Sequence, residues 1–97
     1  MRRRLPDRRN AQIAMFEHDG RRYRATYGTF GDGSLAEVFL DVGRPDSAIK
    51  MHADDSAVLV SLLLQCGVAP GAIKHSISGP ISVALDIWLA GDCHVQP

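Results

Sequence analysis

Long apolar runs are missing from this chain. The longest, Ala57 to Leu64, is broken by Ser61 and falls far short of the roughly 20 residues that a membrane-spanning helix needs, which excludes a membrane protein. A secretory leader is equally unsupported. Arg2, Arg3 and Arg4 imitate its charged start, but Asp7, Arg8, Arg9 and Asn10 stand where the apolar stretch would have to begin. The expectation is a cytoplasmic protein. Cysteine is scarce as well: Cys66 and Cys93 allow at most one disulfide, too few for a stapled secreted scaffold. With 97 residues there is room for one small core and no deep cleft between lobes. Function is therefore expected on a surface.

Net charge is also absent, since 11 basic residues balance 11 acidic ones, but the balance hides a segregation. The first 24 residues carry eight arginines and three acids, net +5, and the remainder carries net −5. One end of the chain is an anion-seeking patch. The apolar fraction of 45% and charged fraction of 23% are those of an ordinary folded domain.

Residues 1–11 offer no apolar face and read as a flexible arginine-rich arm. From Ile13 the pattern becomes short β-prone runs separated by turns. Asp19-Gly20 supplies the positive φ of a tight hairpin. Between Arg21 and Phe30, Tyr23, Ala25 and Tyr27 alternate with Arg22, Arg24 and Thr26, which predicts a half-buried strand with the tyrosines inward. After Gly31-Asp32-Gly33, a second alternating run sets Ala36, Val38 and Leu40 against Leu35, Glu37, Phe39 and Asp41. This predicts a three-stranded antiparallel meander, closed by Gly43-Arg44-Pro45.

Asp46 or Ser47 is placed to cap a helix that runs to Cys66. Ala53, Ala57, Val60 and Leu64 lie at helical spacing. Val58, Leu59, Leu62 and Leu63 widen the apolar face until it nearly encircles the helix, which predicts burial at the centre of the core or, failing full cover, a homodimer interface. Gly67 stops this helix, Pro70 starts a shorter one to about Ile77, and Ile81 to Leu89 suggests a third. Residues 91–97 read as a frayed tail. The expected fold is α+β: a three-stranded antiparallel β-meander followed by two to three helices packed on one face, forming a single domain over residues 12–90.

Several strings in this frame resemble one family: Thr29 to Leu40 around the Gly-Asp-Gly turn and the Ala-Glu-Val-Phe strand, Asp54 to Val68 with its Gln65-Cys66-Gly67 helix end, and Gly79-Pro80-Ile81 with Leu85-Asp86. The opening Arg4-Leu5-Pro6-Asp7-Arg8-Arg9 fits the same pattern. Together they are similar to the TSCPD domain, a small module at the C-terminus of adenosylcobalamin-dependent ribonucleotide reductases that also occurs as short stand-alone proteins. The resemblance implies a link to deoxyribonucleotide metabolism. It does not imply reductase chemistry, which needs a large barrel domain. The name-giving Thr-Ser-Cys-Pro-Asp string, for which metal binding has been suggested, is absent, with only Asp92-Cys93-His94 near the C-terminus. The lone Cys93 is also no dithiol tail for re-reducing an active site.

Local chemistry points the same way. Cys66, His75, Cys93 and His94 lack the short-spaced ligand pairs of zinc sites. His52 and Asp54, two apart on a helix, face different directions. Glu37 reads as a solvent-face residue or as a cross-strand partner of Arg22 or Arg24, and no catalytic pair is expected to form locally among Glu37, Asp54, Asp55, Asp86 and His52. Gly31-Asp32-Gly33 leads into a strand and Gly67-Val68-Ala69-Pro70-Gly71 lacks the Lys and Ser/Thr of a nucleotide loop, so neither cradles phosphate. No catalytic residue, metal or cofactor is expected.

The remaining signal is the arginines. Arg2, Arg3, Arg4, Arg8 and Arg9, joined by Arg22 and Arg24, are the candidate partner- or phosphate-binding residues. They suit docking on a protein, such as a ribonucleotide reductase, with Glu37 on the same face. A nucleic acid or nucleotide is the weaker alternative, because tyrosines on the core face would leave no stacking platform. The expectation is a non-catalytic accessory module acting by protein docking, with small nucleic-acid binding as the alternative.

Overall fold

The computed structural model describes residues 11–43 and 47–95. The chain runs β1 (Gln12–His18), β2 (Arg21–Thr29), β3 (Leu35–Val42), α1 (Ser47–Gln65), α2 (Pro70–Ser76), α3 (Pro80–Ala90) and β4 (His94–Val95). The expected α+β arrangement is present, with three antiparallel strands followed by three helices. The predicted arm, and Asp46 as a helix cap, lie outside the described residues.

Each boundary follows from local chemistry. Asp19 (φ 54°) and Gly20 (φ 76°) both take the left-handed conformation, the pairing that matches the right-handed twist of the flanking strands in a two-residue hairpin. In the next turn Asp32 accepts hydrogen bonds from the Ser34 amide (3.0 Å) and hydroxyl (2.6 Å), so its carboxylate is used to close the loop. Helix α1 ends in a Schellman motif: Gly67 (φ 92°) lets its N–H reach Leu64 O (3.0 Å) while the Val68 N–H reaches Leu63 O (3.0 Å). Helix α3 ends in the same way at Gly91, whose N–H bonds Ile87 O and Trp88 O. That second cap turns the chain back toward the sheet. His94 and Val95 then pair with Ile13 and Gln12, giving a four-stranded sheet of order β3-β2-β1-β4. The sequence reads this stretch as a frayed tail because two residues carry no periodicity.

In register, Tyr23, Ala25 and Tyr27 of β2 lie beside Phe16, Ala14 and Gln12 of β1 and Val42, Leu40 and Val38 of β3. This is the face that the helices cover. Ala53, Ala57, Val60 and Leu64 of α1, Ile73 of α2, and Ile81, Ala84 and Leu85 of α3 complete the core. Alanines at 14, 25, 53, 57 and 84 allow close approach of helix and sheet, and Tyr27 fills the centre. Its phenol donates to Ala84 O at 2.7 Å, and its ring lies 5.4 Å from that of Trp88.

Helix α1 departs from expectation. It is not encircled: Met51, Val58, Leu59, Leu62 and Leu63 are exposed, and only one side is in the core. The reason is that α1 packs against β3 at the margin of the sheet, and no further element of the described chain lies outside it. No helix among the described residues is long and apolar enough to cross a membrane.

Candidate functional site

Two surfaces stand out, one on each layer. The first is the face of the sheet turned away from the helices. Because side chains alternate along a strand, the residues on it are those between the core positions. Register places Glu17 opposite Arg22, Met15 and Asp41 on either side of Arg24, and Ile13 and Phe39 on either side of Thr26. Arg22 and Arg24 thus each have an acid as a register neighbour, whereas Arg21 lies opposite His18. Arg22 and Asp41 are exposed and Arg24 is half-buried. The Arg24 Nε is fully covered and has no hydrogen-bond partner among the described residues.

Glu37 lies on the outer side of β3, as the alternation suggested, but it is covered there. Its register partner is Gly28, not Arg22 or Arg24, and it is only 7% exposed. The side chain folds over Gly28, where an added Cβ would come within 2.7 Å of Glu37 Cγ and 2.8 Å of Oε1. Gly28 is needed for this close approach rather than for its backbone angles. A glycine inside an otherwise regular strand is the signal that marks such a contact, and the sequence reading passed over it. Immediately after it, between Gly28 and Thr29, the β2–β3 register shifts.

The second surface belongs to α1. Beside its exposed stripe lies a groove of about 640 Å³, bounded by α1, the β1–β2 turn and the α2–α3 junction. Tyr23, Val60, Ile73 and Ile81 line it, with His18, Arg21 and His52 also contributing. Leu59 and Leu63 form its wall on the α1 side and are themselves exposed, Leu59 to 61%.

The other candidate residues stay apart. Among the described residues no group of three or more His, Cys, Asp or Glu side chains comes together. Cys66 is exposed at the end of α1 and Cys93 is half-buried. Burial pushes the Cys93 thiol up from its ordinary range, against the hydrogen bond of Tyr27, which favours the thiolate. The Tyr27 phenol is pushed up by burial first and by Cys93 second. Both groups are held in their neutral forms, which suits packing rather than nucleophilic chemistry. Asp54 pairs with Lys50 (2.9 Å) and Asp86 with Lys74 (3.1 Å). His52 lines the groove instead. Tyr23 and Tyr27 are buried, as their register position predicts. Arg2, Arg3, Arg4, Arg8 and Arg9 lie outside the described residues.

Known proteins give this geometry a context. Over 67 residues, 69% of its length, the chain is 33% identical to the vitamin B12-dependent ribonucleotide reductase of Agrobacterium fabrum. The enzyme of the same name from Bradyrhizobium diazoefficiens matches to the same extent. The chain is thus related in sequence to a segment of these reductases. It spans only 5% of the length of either one. No known family's sequence profile matches the chain, and no solved structure matches it.

Proposed function

We propose that this protein is a non-catalytic accessory module related to the reductase C-terminal, TSCPD-like domain, acting by protein docking in deoxyribonucleotide metabolism. The observation that carries the reading is the similarity itself, which takes in most of this domain and a twentieth of a much larger enzyme. A segment of that size has the dimensions of an add-on to the catalytic body.

The docking face combines the arginines of the arm with the outer side of the sheet. There Arg22 is exposed and offers its guanidinium to a carboxylate on a docked protein. Met15 and Phe39 are exposed on the same side and supply apolar contact. Glu37 is on this side too but is buried over Gly28. The interleaved acids Glu17 and Asp41 favour a protein over a nucleic acid, because a phosphate backbone is tracked by unbroken positive charge. Burial of both tyrosines points the same way, since it removes the rings on which bases would stack.

The test is affinity capture from lysate of the protein's own organism, with and without nuclease. The expected result is enrichment of a ribonucleotide reductase that survives nuclease and is lost when Arg2, Arg3, Arg4, Arg8 and Arg9 are replaced by Ser, or when Arg22 and Arg24 are. Capture unaffected by either set of replacements would show that this face is not the docking surface. Recovery only of nucleic-acid proteins, abolished by nuclease, would replace the reading with phosphate binding by the arm.

A further inference from the structure

We infer that the outer face of α1 and the groove beside it are the interface of a two-fold homodimer. This does not depend on the docking role proposed above, which uses the opposite layer of the molecule.

The first argument is area. Met51, Val58, Leu59, Leu62 and Leu63 are 38 to 61% exposed and share one side of a single helix. They present roughly 450 Å² of surface, within the ~300–600 Å² of the largest patch on a typical monomer. A standard interface needs ~800 Å² from each partner. Ile77, 37% exposed, and the open groove it lines extend the apolar surface beyond the stripe.

The second argument is shape. A two-fold interface must be self-complementary, and this surface carries both halves of a fit. Leu59 and Leu63 project as a ridge, and the apolar groove of about 640 Å³ lies directly against that ridge. A two-fold axis near Leu59 sets the ridge of each copy into the groove of the other.

Charge then selects the orientation. The stripe contains one acid, Asp55, towards the N-terminal half of α1. A parallel pairing would bring the two Asp55 carboxylates together and align the helix dipoles. An antiparallel pairing keeps the two Asp55 carboxylates apart and opposes the dipoles. With a formal net charge of zero, two copies also have little long-range repulsion to overcome.

Sedimentation equilibrium of the full chain tests the inference. The expected mass is twice that of the chain at micromolar concentration. Leu59→Lys and, separately, Leu63→Glu should each weaken dimerisation about 100-fold, since every substitution is felt twice across the axis. Both side chains are exposed, so circular dichroism should be unchanged. Arg22→Glu on the other layer should leave the dimer intact. A wild-type chain that remains monomeric throughout the micromolar range overturns the inference. So does a dimer that withstands Leu59→Lys and Leu63→Glu while Arg22→Glu dissociates it. If the chain is monomeric and Leu59→Lys instead abolishes reductase capture, the face belongs to that partner and the homodimer is wrong.

Discussion

The two sides of α1 depart from the usual rule for an amphipathic helix, although Ala53, Ala57, Val60 and Leu64 are buried as expected. Its inner side holds Ser61 and Gln65, both buried, while its outer side exposes five large apolar residues. The inner polar residues complete the margin of the sheet. The Ser61 hydroxyl accepts from the Val38 N–H (3.0 Å) and donates to the Val38 carbonyl (3.1 Å), and the Gln65 amide donates to Ala36 O (3.2 Å). Among the described residues strand β3 pairs with β2 on one side only, so its other margin has backbone groups that a neighbouring strand would otherwise satisfy. Two helical side chains four residues apart do so instead. The difference teaches that polarity here follows the backbone beneath the helix, and that the exposed leucines are surplus to the monomer's own core.

Neighbouring leucines provide the sharpest way to break the comparison. Leu64→Ala, at a site 3% exposed, should destabilise the fold by about 2–5 kcal/mol through lost burial and a residual cavity. Leu63→Ala, at a site 44% exposed, should cost less than about 1 kcal/mol when measured by urea unfolding of dilute protein. Equal losses would mean that α1 is buried on both sides.

Ser61→Ala should come next, at about 1–3 kcal/mol, because it strips both groups of a buried edge residue of their partner. Retained amide protection at Val38 in hydrogen exchange would show that water or another group had replaced the hydroxyl. Gly28→Ala should cost about 1–3 kcal/mol by overpacking against Glu37. In a double-mutant cycle with Glu37→Ala, much of that loss should be recovered, whereas simple additivity would remove the proposed contact.

The smallest effect concerns pH. Tyr27 and Cys93 both titrate above their ordinary values of 10.0 and 9.0 in the folded protein. The neutral forms are therefore favoured by folding. This contribution is complete below the unfolded-state values and is lost as pH rises past them, when the unfolded chain releases protons that the folded one retains. Urea midpoints should fall between about pH 9 and 11, and Tyr27→Phe should flatten part of that slope. An unchanged slope would place its origin elsewhere.

Much of this architecture was legible in the residues. Asp19-Gly20, the alternation through β2 and β3, Gly67 after α1 and Pro70 and Pro80 at helix starts each act through local backbone or side-chain geometry, which sequence carries directly. The candidate surface was less legible. Glu37 looked solvent-facing because alternation reports the side of a strand and not whether a neighbour folds over it. Arg22 and Arg24 looked like an extension of the basic arm, but cross-strand register sets Glu17 and Asp41 beside them. Ser61 looked like an interruption of an apolar run, and its hydroxyl is a bracket for β3.

Composition and periodicity by themselves determined that this chain forms a small α+β domain, with the tyrosines of β2 facing inward and an excess of positive charge in its first 24 residues. Tertiary structure alone decided which half of the α1 apolar surface is covered, where the β2 arginines find their neighbours, and that the chain returns after Gly91 to extend the sheet. The physical reason is range. Turns, caps and alternation are settled within a few residues, whereas burial and register depend on which distant segment arrives alongside.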